Sequence, residues 1–178
     1  TEAVRAALAD TGADVTGVAQ AIEVFAGLRQ FEICTPFAKP ALGCSDNYLR
    51  SVARRVGADP ARAVLESIGG NGPQKLVTEF ARGIAAGGAE VVLVLGSEPG
   101  STAKYFAGRD NKPDFTEHVG GQLEDRGYGF EQYMNEYTAT HGLTGAPVQY
   151  GLLDNARRAR SGVGVEDYRR DMAELFAP

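Results

Sequence analysis

Residues 62–98 read Arg62-Ala-Val-Leu-Glu-Ser-Ile-Gly-Gly-Asn71-Gly-Pro-Gln-Lys-Leu-Val-Thr-Glu-Phe80-Ala-Arg-Gly-Ile-Ala-Ala-Gly-Gly-Ala-Glu90-Val-Val-Leu-Val-Leu-Gly-Ser-Glu98. Arg62 to Ile68 is a strand candidate. Gly69-Gly70-Asn71-Gly72 is a tight turn, and Pro73 suits the first turn of a helix because its missing N–H is not needed there. Leu76, Val77, Phe80, Ala81, Ile84 and Ala85 follow at helical spacing, and Gly87-Gly88 stops the helix. Glu90 to Leu95 is apolar on both faces, as a buried parallel strand should be. Strand, turn, helix and strand at these lengths predict an α/β fold with a parallel sheet and flanking helices.

The same reading extends upstream. Residues 21–29 are a strand candidate. The stretch 30–46 is a loop holding two prolines and both cysteines, Cys34 and Cys44. Ser45 or Asp46 can cap a helix to about Val56, with Leu49, Val52, Ala53 and Val56 inward. At the start, Val4, Ala7 and Leu8 line a helix face that Gly12 ends. The chain opens on that helix at once, which predicts a beginning inside a domain. Downstream the regular pattern stops after Glu98. Tyr128, Phe130, Tyr133, Met134 and Tyr137 then form a helical stripe that reads as core. Two helices follow, at about 148–160 and 165–176. The expected organisation is an α/β core over 1–98 and a helical loop domain over 99–178.

Composition bounds the function classes. The chain has 178 residues, one ordinary domain's worth, with 43% hydrophobic and 23% charged residues. A net charge of -5 disfavours a nucleic-acid footprint, which wants a basic face. No apolar run approaches the roughly 18 residues of a membrane span. No signal peptide is visible, so the cysteines are expected to be reduced thiols in a cytoplasm. Two basic clusters, Arg50/Arg54/Arg55 and Arg157/Arg158/Arg160, are either solvated helix faces or sites for an anion such as phosphate.

The chemistry-bearing candidates are few. The glycine turn leads a helix N-terminus, where free N–H groups can meet an anion. Lys75 stands where a dinucleotide fingerprint needs its third glycine, so that fingerprint is incomplete, although Glu98 ends the next strand where a ribose-binding acid could sit. Gly72-Pro73 excludes a phosphate P-loop. His118, beside Glu117, is a candidate acid or base. His141, at a helix end, reads as structural. Two cysteines and two histidines at these spacings match no metal pattern. Neither cysteine sits at a predicted helix N-terminus, so neither reads as a nucleophile.

The run from Leu65 to Glu98 resembles the nucleophile segment of thiolases, in which a strand leads to Cys-Ala-Ser-Gly, a helix and a strand ending in Gly-Gly-x-Glu. The opening Ala-Leu-Ala-Asp-Thr-Gly is similar to that family's first helix. Gly120-Gly-Gln-Leu-Glu-Asp-Arg-Gly-Tyr-Gly and Asn155-Ala-Arg-Arg-Ala-Arg resemble the loop domain of actinobacterial thiolase-like proteins, related to the sterol-carrier-protein-x type. The resemblance implies the first half of a thiolase fold and an acetyl-CoA acetyltransferase homologue whose substrate is a coenzyme A thioester. It implies no further cofactor.

The chain departs from that pattern at one decisive position. Gly69 stands where the nucleophilic cysteine would be, so acyl transfer through that side chain is impossible. Gly69, Gly70, Asn71, Gly72 and His118 are then the expected acyl-CoA contacts. The alternatives are a non-catalytic scaffold subunit, or a cysteine-independent retro-aldol lyase acting on CoA thioesters with a partner protein. The resemblance also implies a homodimer through the edge of the 62–68 strand. It further implies a strand order 3-2-1-4-5 whose central strand would lie outside this chain, leaving 21–29 and 90–96 without each other as neighbours.

Overall fold

The computed structural model describes residues 1–30, 40–129 and 135–177. Cys34, Phe130, Tyr133 and Met134 lie outside the described residues. The chain divides into two compact units, Thr1–Gly129 and Phe130–Pro178. Residues 99–129 therefore fall in the strand-bearing unit.

The first unit runs α1 (Glu2–Asp10), α2 (Val15–Ala21), β1 (Ile22–Leu28), α3 (Tyr48–Arg55), β2 (Arg62–Glu66), α4 (Gly72–Ala85), β3 (Val91–Leu95), α5 (Gly100–Phe106) and β4 (Glu124–Asp125). The four strands form one parallel sheet in the order β3-β1-β2-β4. Alternation along the strands sends side chains to two faces. Phe25, Ala63 and Leu65 meet Val4 and Leu8 of α1 and Leu49 and Ala53 of α3. Val24, Ala26 and Val64 meet Leu76 and Phe80 of α4 on the other face. The α/β architecture expected from the 62–98 stretch is the one observed.

Two expectations about the sheet are corrected. The strands at 21–29 and 90–96 are direct partners, from Ile22↔Val91 to Gly27↔Leu95. Unpaired backbone groups in a buried sheet are costly, and the two strands satisfy one another. The pairing needs one irregularity. Between Ile22 and Val24 the register slips, with Glu23 as the extra residue, so Ile22 and Phe25 reach the same face despite odd spacing. β3 is also only half-buried along its five residues, because it ends the sheet and has one neighbour.

The second correction concerns the 62–68 strand, which has no free edge to offer a second copy. β4 pairs there, Val64 with Glu124 and Leu65 with Asp125. Arg62 adds a two-pronged contact to Glu124, at 2.7 and 2.8 Å.

Local chemistry explains the smaller differences. Asn47, rather than Ser45 or Asp46, caps α3, its side-chain oxygen accepting from Arg50 N–H at 3.2 Å. Asp46 is occupied elsewhere, accepting from Val119 N–H at 2.7 Å. α2 begins at Asp14, whose carboxylate accepts from Gly17 N–H at 2.7 Å.

The second unit holds α6 (Glu136–Thr140), α7 (Ala146–Ser161) and α8 (Val165–Phe176). Gly162 takes a left-handed φ of 69° to end α7, the conformation glycine adopts without penalty. Tyr168 then donates to Asp154 at 3.1 Å, tying α8 to α7. Among the described residues no helix is long and apolar enough to cross a membrane.

Gly27 is the tightest backbone position in the sheet. A Cβ there would lie 2.6 Å from Leu49 Cδ2 and 3.1 Å from the Leu95 carbonyl, and nearer still to the Tyr48 hydroxyl. Gly27→Ala is expected to lower stability by about 1–3 kcal/mol, the usual cost of overpacking. Urea unfolding of the two proteins checks it.

Candidate functional site

The glycine turn joins the carboxyl end of β2 to α4, the place where ligands bind in open parallel sheets. Its backbone closes on itself, Gly72 N–H donating to the Gly69 carbonyl at 3.0 Å. Asn71 takes the N-cap position, and Pro73 falls in the first turn as the sequence predicts. The four residues are not equivalent. Gly72 is buried, and a Cβ there would strike Leu28 Cδ2. Gly70 is exposed with open space where its Cβ would be, Asn71 is exposed, and Gly69 is half-exposed. Gly72 is thus packed against Leu28, while Gly69 and Gly70 bring no side chain to the head of α4.

Beneath the turn lies a charged group that sequence reasoning missed. Glu66, the last residue of β2, is 1% exposed. Its Oε1 accepts from Lys75 Nζ and from the Ser67 N–H and hydroxyl, each at 3.0 Å. Its Oε2 accepts from Arg126 Nη1 at 2.7 Å. Arg126 also forks onto Glu79, at 2.7 and 2.5 Å. Burial alone would raise the Glu66 pKa. The hydrogen bonds from Arg126, Lys75 and Ser67 outweigh it and bring the value to about 2. Lys75, the residue that spoils the dinucleotide fingerprint, therefore serves Glu66.

His118 is not part of this arrangement. It is exposed on the α3 side of the sheet, next to Asp46. The Val119 N–H, against the effect of burial, and then the Gly120 N–H and His118, hold the Asp46 carboxyl below its usual range. The strip around His118 is fastened by the first basic cluster. Arg50 Nε donates to the Gln122 carbonyl at 3.0 Å, Arg54 to the Val119 carbonyl at 2.9 Å, and Arg55 pairs with Glu117 at 3.1 Å. That cluster clamps the chain, while Arg54 and Arg55 stay exposed as residues of a solvated helix face. Of the second, Arg158 donates to the Val163 carbonyl at 3.0 Å and helps turn the α7–α8 corner. His141 ends α6, its Nδ1 2.8 Å from the Tyr137 carbonyl, in the structural place expected of it.

Comparison with solved structures finds a monomeric SCP2-thiolase like protein type 1 from Mycobacterium smegmatis. It is 48% identical over 98% of this chain, with a TM-score of 0.61. The chain is thiolase-like. It spans 28% of that protein's length. No family model matches the chain, and no curated protein does. The likeness agrees with the resemblance carried by the Leu65–Glu98 run and with the parallel α/β sheet.

In this thiolase-like chain the turn is set by the Glu66 cluster below it, which gives a stability signature. Glu66→Gln leaves Lys75 and Arg126 facing a neutral amide, and about 3 kcal/mol of stability should go. The pKa of Glu66 lies below its ordinary 4.5, so its contribution is complete above about that pH and is lost as pH falls toward 2. Urea unfolding at pH 6 should show the full gap between wild type and variant, and at pH 3 a gap smaller by about 2 kcal/mol.

Proposed function

We propose that this chain binds acyl-CoA thioesters as part of a thiolase-like protein, without forming an acyl-enzyme at the turn. The observation that carries the reading is the glycine turn itself. It keeps the position at the head of α4 that the resemblance gives to the nucleophile segment, yet Gly69 offers no side chain there. The exposed Gly70 has open space beside it for a thioester oxygen, and a helix N-terminus favours such an acceptor.

The titratable groups support binding over proton transfer. Among the described residues, every carboxylate with a shifted pKa is shifted down, hydrogen bonds outweighing burial. Such groups are ionised at neutral pH, so they are poor general acids, and a carboxylate held low by its hydrogen bonds is also a weak general base. This favours the scaffold alternative, in which a partner protein supplies the chemistry, over a lyase working through this chain's own carboxylates. His118 lies on the α3 side, so the proposed acyl-CoA site consists of Gly69, Gly70, Asn71 and Gly72 without it. A homodimer through β2 is not part of the proposal, since β4 fills that edge. The similar solved protein is described as monomeric.

Acetoacetyl-CoA should bind to the purified chain by calorimetry, while intact-mass measurement shows no acetyl adduct that survives mutation of Cys34 and Cys44. Gly69 does not adopt the left-handed conformation, so Gly69→Cys is compatible with its backbone. That variant should carry a thiol alkylated by iodoacetamide several-fold faster than free cysteine at pH 7. Absence of binding, or an inert thiol at 69, would make the turn purely structural.

A further inference from the structure

We propose that a cavity on the α3 side of the sheet binds a small neutral carbonyl compound, a ketone, aldehyde or ester with an aliphatic body. The cavity has a volume of about 270 Å³. It opens at the carboxyl ends of β1, β2 and β4, between the start of α3 and the chain after β4. Its walls are largely apolar, from Leu49, Leu65, Leu123 and the rings of Tyr48 and Tyr128. The glycine turn leads to α4 on the opposite face, so this site stands independently of the acyl-CoA reading.

The distinctive wall is Arg29. It is 8% exposed and immediately follows β1. Its Nη2 pairs with Asp125, and its Nε donates to the Gly127 carbonyl at 3.2 Å. The guanidinium carbon stacks 4.1 Å from the centre of the Tyr128 ring. Nη1 donates to no hydrogen bond among the described residues. A guanidinium carries five N–H donors, so Nη1 remains able to donate to a molecule in the cavity. An acceptor oxygen entering there gains a hydrogen bond to a charged donor, which is stronger than one between neutral groups.

Charge decides the class of acceptor. Asp125 already balances Arg29, and Asp46 also lines the cavity. The wall is therefore negative by one unit, which opposes a carboxylate or a phosphate. A neutral carbonyl oxygen accepts from Nη1 without that repulsion, and the apolar walls select an aliphatic remainder.

Cys44 lines the same cavity and is a half-buried free thiol, so it reports occupancy. The whole chain is treated with N-ethylmaleimide, and the Cys44 peptide is followed by mass spectrometry apart from the Cys34 peptide. The probes are cyclohexanone, methylenecyclohexane as the hydrocarbon of similar shape, and cyclohexanecarboxylate. Cyclohexanone should protect Cys44 at a concentration at least tenfold lower than methylenecyclohexane, the size of effect expected from one hydrogen bond to a charged donor. Cyclohexanecarboxylate should not protect. Arg29→Met should erase the preference for the ketone while the hydrocarbon still protects. Leu123→Phe, which fills the cavity and leaves Arg29 in place, should abolish protection by both. Should Arg29→Met fail to fold, the ketone–hydrocarbon ratio in wild type decides alone. Equal protection by ketone and hydrocarbon, preference for the carboxylate, no protection by any probe, or protection surviving Leu123→Phe overturns the proposal.

Discussion

A carboxylate enclosed at the carboxyl end of β2 has to be neutralised where it stands, and the residues that do so hold the sheet and the turn together. Lys75 comes from the first turns of α4, Arg126 from just past β4, and Ser67 from the turn. Satisfying Glu66 therefore fixes α4 and the chain after β4 against the same strand end. β4 needs this, because two residues of ladder are a weak hold. Its neighbours are tied by ion pairs instead: Arg62 to Glu124, Arg29 to Asp125, and Arg126 to both Glu66 and Glu79. A buried pair adds little over a well-packed apolar one, but losing one partner strands the other charge. The cluster is thus a constraint on geometry more than a source of stability.

The sheet shows how strongly backbone pairing directs the rest. The resemblance to thiolases implies a strand between β1 and β3, and here the two pair directly. The slip at Glu23 is what allows it. With the extra residue, Ile22 joins the α1–α3 core, while Val24 turns to α4. Without it, strict alternation would place Ile22 and Val24 on one face. The cost appears at β3, whose five apolar residues have one strand neighbour and stay half-buried. An apolar edge of this kind lacks the charges and prolines that usually guard sheet edges.

How much of this was legible in the sequence follows from how local each cause is. α4 could be read because Pro73, Leu76 and Phe80 mark its start and buried face within ten residues. α3, α7 and α8 carry similar local patterns. β4 could not be read, since Glu124-Asp125 has no apolar alternation, and its strand character comes wholly from Val64 and Leu65 across the gap. The cap of α3 was misassigned because Ser45, Asp46 and Asn47 are all good caps, and the choice rests on Val119 and Gly120, which claim Asp46 from over seventy residues away. Glu66 read as an ordinary strand residue for the same reason. Of its charged partners Lys75 is nine positions off and Arg126 sixty. The fold class was therefore available from local pattern, and the site's electrostatics were not.

The glycine turn joins these two levels and limits what its sequence can signify. Gly72 is needed because Leu28 occupies the space a side chain would take. A side chain at 72 would force the end of Leu28, a residue of the inner strand β1, out of its place beside the turn. Gly69, half-exposed at the start of the turn, is not part of that contact. The persistence of a thiolase-like glycine pattern is thus explained by the core beneath it. Activity has to be argued from what remains at the open positions, and there Gly69 and Gly70 present no side chain that could carry a covalent step.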